Sequence, residues 1–345
     1  MKIAIFEDSF DPPLLSDARA AEELSHIADK VLIIPDNRTS GADKLKLCII
    51  AFSDIENAEV SDIEIGREGK CYIAETLDIL KGNYPNANFL IASWKDENIH
   101  EWFRIDYVMQ NSEILVVDRD DNEERYSDVR EKLPMRLCSD LVKDEVYEEI
   151  IKNNYYEAQP DLSWLREKAI DYLDESRIAH VAGCEQEAVK LAQFWGEDED
   201  KAATAAILHD ITKRCSYEEQ LQMVKEFCIE CDEEELKIPK LLHARTGAYI
   251  AKKEFGVSDE IYDAIRYHTT GRPDMTLLEK IIYLADYIEP NRTFEGVEKL
   301  RQLAYEDINK CMALGLEMSL DEIREKGQNP YKDTKEAFEY YAETK

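Results

Sequence analysis

The sequence predicts two domains, a parallel α/β sheet followed by an all-helical bundle. Three observations carry this expectation. The chain has 345 residues, more than the roughly 250–300 at which a single core stops growing. Its first half alternates short runs rich in Ile, Val and Leu with helix-patterned stretches, the signature of parallel strands covered by helices. From Asp161 onward no strand-like run remains, and apolar residues recur at helical spacing.

In chain order, the strand candidates are Lys2–Phe6, Val31–Pro35, Ala58–Ser61, Asn88–Ala92 and Ile114–Val117. Helical patterns lie between them at Ser16–Ala28, Asp43–Asp54, Ile73–Tyr84 and Phe103–Gln110, and a last one covers Lys143–Asn153. The segment Glu157-Ala-Gln-Pro-Asp-Leu-Ser reads as a linker followed by a helix N-cap. It places the boundary near residue 158, giving domains 1–157 and 158–345. Helices are expected at Trp164–Leu173, His180–Trp195, Lys201–His209, Tyr217–Phe227, His243–Phe255, Asp259–Tyr267, Leu277–Ile288 and Val297–Met318. The charged tail, Glu322–Lys345, is expected as a peripheral helix or a frayed end.

Composition narrows the function. Hydrophobic residues make up 44% of the chain, enough for true cores. Against 43 Lys+Arg stand 75 Asp+Glu, a net charge of −32. Such a surface repels polyanions, which argues against nucleic acid as a partner. A small anion remains accessible if a few cations or a metal gather in one cleft. No apolar run reaches about eighteen residues, so no membrane-spanning helix is expected. The opening MKIAIFEDSF carries charge within its short apolar run and reads as no signal peptide, so a cytoplasmic location is expected. Of the eight cysteines only Cys228 and Cys231 are spaced C-x-x-C. They lack the second pair of a zinc ribbon and read as ordinary thiols.

The chemistry concentrates in the second half. Of six histidines, His26 and His100 lie in the first half, and His180, His209, His243 and His268 in the second. His209-Asp210 closes the apolar helix Ala202-Ala-Thr-Ala-Ala-Ile-Leu, so both side chains emerge at its end. Lys213 follows one turn later on the face of Asp210. Imidazole plus carboxylate suits a divalent transition metal, and a neighbouring ammonium suits a phosphate oxygen. A metal in a helical core takes ligands from separate helices. His180 lies at the start of another helix, and Asp286 sits in Leu278-Glu-Lys-Ile-Ile-Tyr-Leu-Ala-Asp-Tyr-Ile, where an unpaired carboxylate is costly. His180, His209, Asp210 and Asp286 together would make a two-histidine, two-aspartate metal site. Arg266-Tyr-His-Thr-Thr-Gly-Arg-Pro reads either as a phosphate-wrapping turn or as a plain helix–helix turn with Arg272 in solvent.

Five segments resemble one family: Arg177-x-x-His180, Leu208-His-Asp-Ile-Thr-Lys213, Leu242-His-Ala-Arg-Thr-Gly-Ala248, Ala264-Ile-Arg-Tyr-His-Thr-Thr-Gly-Arg272 and Lys280-Ile-Ile-Tyr-Leu-Ala-Asp-Tyr-Ile-Glu-Pro290. They are similar to the YqeK-type HD-domain hydrolases, the symmetrical bis(5'-nucleosyl)-tetraphosphatases of bacteria. The resemblance implies an all-helical HD fold and cleavage of diadenosine tetraphosphate at its centre to two ADP. It implies iron, or a similar divalent metal such as manganese, on His180, His209, Asp210 and Asp286. It further implies that Asp210, Lys213, His243, His268, Thr269, Asp286 and Arg292 surround the ADP moiety. His180, Ile211, Thr212 and Arg272 complete that lining. Asp210, Lys213, His243 and His268 are then the expected catalytic groups. Lys213, Arg292 and Arg272 would offset phosphate charge, and a protonated His243 or His268 would assist the leaving group. His243 and His268 would touch phosphate or hold a second metal; phosphate contact is favoured because four ligands already complete the first.

The first half resembles the bacterial nicotinate-nucleotide adenylyltransferases, which implies a Rossmann-like, nucleotidyltransferase-like sheet. The resemblance starts at Ser9-Phe10-Asp11-Pro12-Pro13 and continues more weakly through Val60–Glu64, Tyr72–Pro85, Trp102–Arg104 and Leu141–Tyr155. In that family a His-x-Gly-His follows at the helix start and stabilises the ATP phosphates. Here those positions read Leu14, Leu15, Ser16 and Asp17, and Glu7 and Asp8 stand where glycines are expected. The second signature is not recognisable around Tyr126–Leu137. An inactive domain serving as scaffold, docking surface or homodimer surface is expected. Alternatives to the hydrolase are a nucleotide sensor without turnover and an HD phosphohydrolase acting on another nucleotide.

Overall fold

The computed structural model describes residues 1–38, 42–118 and 125–343; the last two residues of the expected tail lie outside them. The chain divides into two compact units, Met1–Gln159 and Pro160–Lys345, two residues from the boundary expected near 158.

The first unit is built on β1 (Lys2–Asp8), β2 (Lys30–Pro35), β3 (Ala58–Val60), β4 (Asn88–Trp94) and β5 (Glu113–Val117). They form one parallel sheet in the order β3-β2-β1-β4-β5. In β1, Ile3, Ala4, Ile5 and Phe6 are all buried, as an unbroken apolar run covered on both faces requires. The register Ile3↔Lys30 and Ile3↔Phe89 makes β1 the centre. β1 runs two residues past the expected Phe6 because Glu7 and Asp8 stay paired to Ile34 and Pro35.

Helices α1 (Leu15–Ser25), α2 (Lys44–Ala51), α3 (Ile73–Asn83), α4 (Ile105–Asn111) and α6 (Asp144–Lys152) fall where the pattern placed them. No periodic pattern announces α5 (Tyr126–Lys132): it is short and charged, and Asp128 caps it by accepting from the Arg125 N–H at 3.1 Å. On one face of the sheet Ile3, Ile5, Leu32, Ile34, Phe89 and Ile91 pack against Ala74, Leu77 and Leu80 of α3 and Val108 of α4. The order reverses direction between β1 and β4, so the crevice at their carboxyl ends is where such a sheet takes ligands.

The second unit comprises α7 (Leu162–Ile170), α8 (Glu175–Trp195), α9 (Glu199–Leu208), α10 (Tyr217–Glu226), α11 (Pro239–Phe255), α12 (Asp259–Tyr267), α13 (Leu277–Ile288), α14 (Val297–Ala304), α15 (Ile308–Glu325) and α16 (Lys332–Glu343). The central α9 buries Ala202, Ala203, Ala205 and Ala206. Its small side chains let α8, α12 and α13 pack around it. Helix starts follow local chemistry. Asp198 accepts from the Lys201 N–H, Ser258 caps α12, and Thr276 with Glu279 forms a capping box on α13.

Three expectations change. Helix α8 begins five residues before His180, which therefore lies in its second turn. The single helix expected over Val297–Met318 is two, because Asp307 accepts from the Lys310 N–H at 3.0 Å and starts a new one. The tail is folded into α16: Tyr341 is buried and its hydroxyl accepts from the Met275 N–H at 2.9 Å. Among the described residues no helix is long and apolar enough to cross a membrane.

Candidate metal and phosphate site

Five helices bring the site together. The second turn of α8 supplies His180, the C-terminal end of α9 supplies His209 and Asp210, the last turn of α13 supplies Asp286, and α11 with the end of α12 supplies His243 and His268. All of these except Asp286 are buried, and the Asp286 side chain is 22% exposed. His180 Nε2 lies 3.1 Å from Asp286 Oδ1 and 3.8 Å from Asp210 Oδ2. His209 Nε2 lies 3.6 Å from Asp210 Oδ2 and 3.9 Å from Asp286 Oδ1. The four expected ligands therefore converge.

The donor set fits a metal. His209 Nδ1 donates to the Ala206 carbonyl at 2.6 Å. A carbonyl can only accept, so Nε2 carries the lone pair, and this buried atom has no hydrogen-bond partner. An imidazole nitrogen turned inward beside two carboxylates and left unbonded is the arrangement a divalent cation would complete. Two groups of side chains have the spacing to hold one: His180, Cys184, His209 and Asp286, and His209, Asp210 and His268. Cys184 was not foreseen, although it stands one turn beyond His180. Burial, with Asp286, Glu289 and Asp210 nearby, pushes its thiol well above the ordinary range.

Each carboxylate is also held by an arginine. Arg177 donates to Asp210 Oδ2 at 3.0 Å, and Arg292 donates to Asp286 Oδ1 at 2.7 Å and to its carbonyl at 2.9 Å. Burial raises the carboxylate pKa of Asp210, but His209, His243 and Lys213 outweigh it and hold this group well below the usual range. Burial lowers Lys213, against the pull of Asp210. Lys213 Nζ lies 2.9 Å from His243 Nε2, which lies 3.1 Å from His268 Nε2. Thr269 Oγ1 lies 3.1 Å from that same His268 nitrogen.

The expectation of a protonated His243 or His268 runs against this environment. Burial lowers His243, and burial with the neighbouring His209 and His243 pushes His268 down to about 3. His268 Nδ1 donates to the Ile265 carbonyl at 2.6 Å, so its Nε2 is an acceptor. Burial thus works against the charged form of either ring.

The phosphate-wrapping reading of the turn after α12 is also corrected. Gly271, at φ +63°, gives its N–H to the Tyr267 carbonyl at 2.8 Å and packs on Leu316 and Ala337. Arg272 is turned away from the site, donating to the fully buried Glu279 at 2.7 Å and facing Asp263. Only His268 and Thr269 of this turn line the cavity at the site. Ile211 is core, and the Thr212 hydroxyl donates to the His243 carbonyl at 2.8 Å, so these two brace the site from behind.

The cavity in front has a volume of about 720 Å³. Arg177, Lys213, Lys240 and Arg292 line it, with Tyr287 and Phe294 offering ring faces and Asp321, Glu322 and Glu325 coming from α15. The sequence reading quoted Arg177 and Glu289 within matching segments without giving them roles. Arg177 reaches Asp210, and Glu289 Oε1 lies 3.1 Å from His180 Nδ1.

Residues 177–291 match the HD domain family. The symmetrical bis(5'-nucleosyl)-tetraphosphatase of Bacillus subtilis is 44% identical over 163 residues, 47% of this chain and 87% of that protein. The probable nicotinate-nucleotide adenylyltransferase/Ap4A hydrolase of Mycoplasma genitalium is 26% identical over 356 residues, 91% of this chain and 97% of that one. A probable nicotinate-nucleotide adenylyltransferase of Aliarcobacter butzleri is 30% identical over 133 residues, 34% of this chain and 72% of that one.

Proposed function

The chain belongs through its helical unit to the HD-domain symmetrical bis(5'-nucleosyl)-tetraphosphatases and through its sheet unit to the nicotinate-nucleotide adenylyltransferases, and from there we propose that the helical unit hydrolyses diadenosine tetraphosphate at its centre to two ADP while the sheet unit transfers no adenylyl group. One observation carries the hydrolase reading: His180, His209, Asp210 and Asp286 converge from three helices, with His209 Nε2 buried and unbonded among them.

A divalent transition metal, iron or manganese, held by those four residues would acidify a water and draw charge from a phosphoryl oxygen. The protein supplies the rest. Arg177, Lys213 and Arg292 face the cavity beside the two carboxylates, where they meet the charge that builds on the polyphosphate. In a chain of net charge −32, this local set of cations is what allows a polyanion to settle. Burial works against charge on His243 and His268, and His268, whose Nδ1–H goes to the Ile265 carbonyl, can take a proton at Nε2. The departing ADP is stable as an anion and needs little protonation. Eight free thiols and a nucleotide substrate support a cytoplasmic location.

The sheet unit supports the second half of the proposal. Asp17 Oδ2 accepts the Leu14 N–H at 2.8 Å at the start of α1, so the chain's own carboxylate occupies the seat a phosphate would need. The test of both halves is product analysis. Purified protein with diadenosine tetraphosphate and manganese or iron should give ADP alone, and AMP plus ATP would refute central cleavage. With ATP, nicotinate mononucleotide and magnesium, pyrophosphate release should stay at the no-protein blank; turnover above it would refute the inactive sheet unit.

A further inference from the structure

We propose that Glu289 is a positioning residue for His180, fixing the tautomer and direction of this metal ligand, and that residue 183 is glycine to make room for it. This rests on the metal-site reading above. His180 Nδ1 and Glu289 Oε1 are 3.1 Å apart, and Glu289 is 2% exposed. A carboxylate only accepts, so Nδ1 gives its proton to Glu289, and Nε2 is turned to Asp286 Oδ1 at 3.1 Å, the side on which a metal shared by the two would leave this nitrogen unprotonated. A carboxylate behind a metal-binding imidazole also raises its basicity.

The carboxylate is itself held in place. Glu289 Oε2 accepts the Asn291 N–H at 2.6 Å, and the Asn291 side-chain amide donates to the Ala179 carbonyl at 3.2 Å, beside His180. Arg301 donates to the carbonyls of Ile288, Glu289 and Arg292 at 2.9, 2.7 and 2.9 Å, pinning the turn that carries Glu289. These contacts tie the end of α13, which supplies Asp286, to the second turn of α8, which supplies His180.

Gly183 is the independent sign. It lies inside α8, three residues past His180, and glycine is a poor residue for a helix interior. A Cβ at this position would stand 2.5 Å from Glu289 Oε2 and 3.2 Å from Asn291 Nδ2. Any side chain there would force the carboxylate to shift. A glycine that weakens its helix and leaves room for this carboxylate and the Asn291 amide fits a carboxylate whose position matters.

The test measures manganese affinity of the full chain, stripped of metal and titrated against a chelator of known affinity, beside the melting temperature of the metal-free protein. Glu289→Ala should weaken manganese binding about 10–100-fold. Glu289→Gln, whose carbonyl still accepts from Nδ1–H, should recover most of that loss. Gly183→Ala should weaken binding in the natural chain but add little in the Glu289→Ala background, because both act through one carboxylate. If Glu289→Ala does not fold, the Gln and Gly183→Ala variants decide alone. Manganese affinity within twofold of the natural chain in Glu289→Ala, or in Gly183→Ala where Glu289→Ala does not fold, would overturn the proposal, as would a lowered melting temperature at unchanged affinity in the same variant. Tight, Glu289-dependent manganese binding without cleavage of diadenosine tetraphosphate would sink the hydrolase reading and leave the positioning role standing.

Discussion

Replacing Asp210 with Asn keeps the shape of the side chain and removes its charge, at the point where the site is most crowded. One carboxylate oxygen faces Arg177 at 3.0 Å, His209 at 3.6 Å and His180 at 3.8 Å; the other faces His243 at 3.3 Å, Lys213 at 3.4 Å and His268 at 3.7 Å. For the fold, the change turns a charge-assisted bond to Arg177, worth about 1.5–3 kcal/mol, into a neutral one worth about 0.5–1.5 kcal/mol. Against that, Asp286 no longer sits beside a second carboxylate that raises its pKa. The net change in stability should stay within about 1–2 kcal/mol, and the protein should fold. Function should not survive. The cluster loses one of its two anionic ligands, and turnover should drop by about a thousandfold or more, roughly 4 kcal/mol of barrier. The assay is ADP release from diadenosine tetraphosphate, with metal content measured on the same sample and circular dichroism as the control for folding. A folded Asp210→Asn protein that keeps its metal and a tenth of natural turnover would refute the role assigned to Asp210.

The remaining predictions separate residues that the sequence alone groups together. Lys213→Ala and Arg292→Ala should retain metal and lose about 10–150-fold in kcat/KM, each removing a charge-assisted phosphate contact of about 1.5–3 kcal/mol; metal loss in either would move that residue into the ligand shell. Arg272→Ala should leave kcat and KM unchanged and destabilise the helical unit by about 1–3 kcal/mol, because the buried Glu279 loses its guanidinium; a kinetic defect without a stability change would restore the phosphate role. In the sheet unit, burial together with Glu64, Asp36, Glu97 and Asp8 raises Glu7 from 4.5 to about 8. The folded unit therefore holds a proton that the unfolded chain has released between those values, so its stability should fall as pH climbs from about 4.5 to 8. Glu7→Gln should flatten that fall, which denaturant melts of the full chain at pH 5 and pH 8 would show; an unchanged slope would refute it.

What the sequence made legible follows from which forces act locally. The five strands could be read because parallel strands buried on both faces demand unbroken apolar runs, and Ile3–Phe6 and Val31–Ile34 are such runs. The four candidate metal ligands could be read because a carboxylate such as Asp286 in an apolar helix needs a reason. Helix α5 could not be read, since nothing in its charged sequence is periodic. The break at Asp307 hid inside an apolar pattern that continues on both sides of it. Arg272 was misplaced for a different reason. Its neighbours Thr269 and His268 do reach the site, but a turn sends successive side chains in different directions, and the pull of the buried Glu279 seven residues on decides where the guanidinium goes. The Glu289–His180 contact spans 109 residues, and spacing alone cannot show it.

The two units treat negative charge in opposite ways, and this makes the division of labour physical. At the start of α1 the backbone N–H groups and the helix dipole would attract a phosphate. Asp17, fully buried, takes that seat: one oxygen accepts the Leu14 N–H and the other accepts the Tyr126 hydroxyl at 2.9 Å. Around the crevice burial, together with the acidity gathered by Glu64, Asp36 and Asp8, pushes Glu7 among them up to about 8. An ATP phosphate approaching there would have to displace a satisfied carboxylate and then lie against others. In the helical unit the order is reversed. Asp210 and Asp286 are the anions, but each is bound by an arginine and ringed by imidazoles, so their charge is spent inward and Arg177, Lys213 and Arg292 remain at the cavity wall. The cavity wall carries Arg177, Lys213, Lys240 and Arg292 but also Glu295, Asp321, Glu322 and Glu325. A divalent cation bound at the cluster would therefore bring the two positive charges that tip the balance toward a polyphosphate, whereas at the start of α1 Asp17 already holds the place such a group would take.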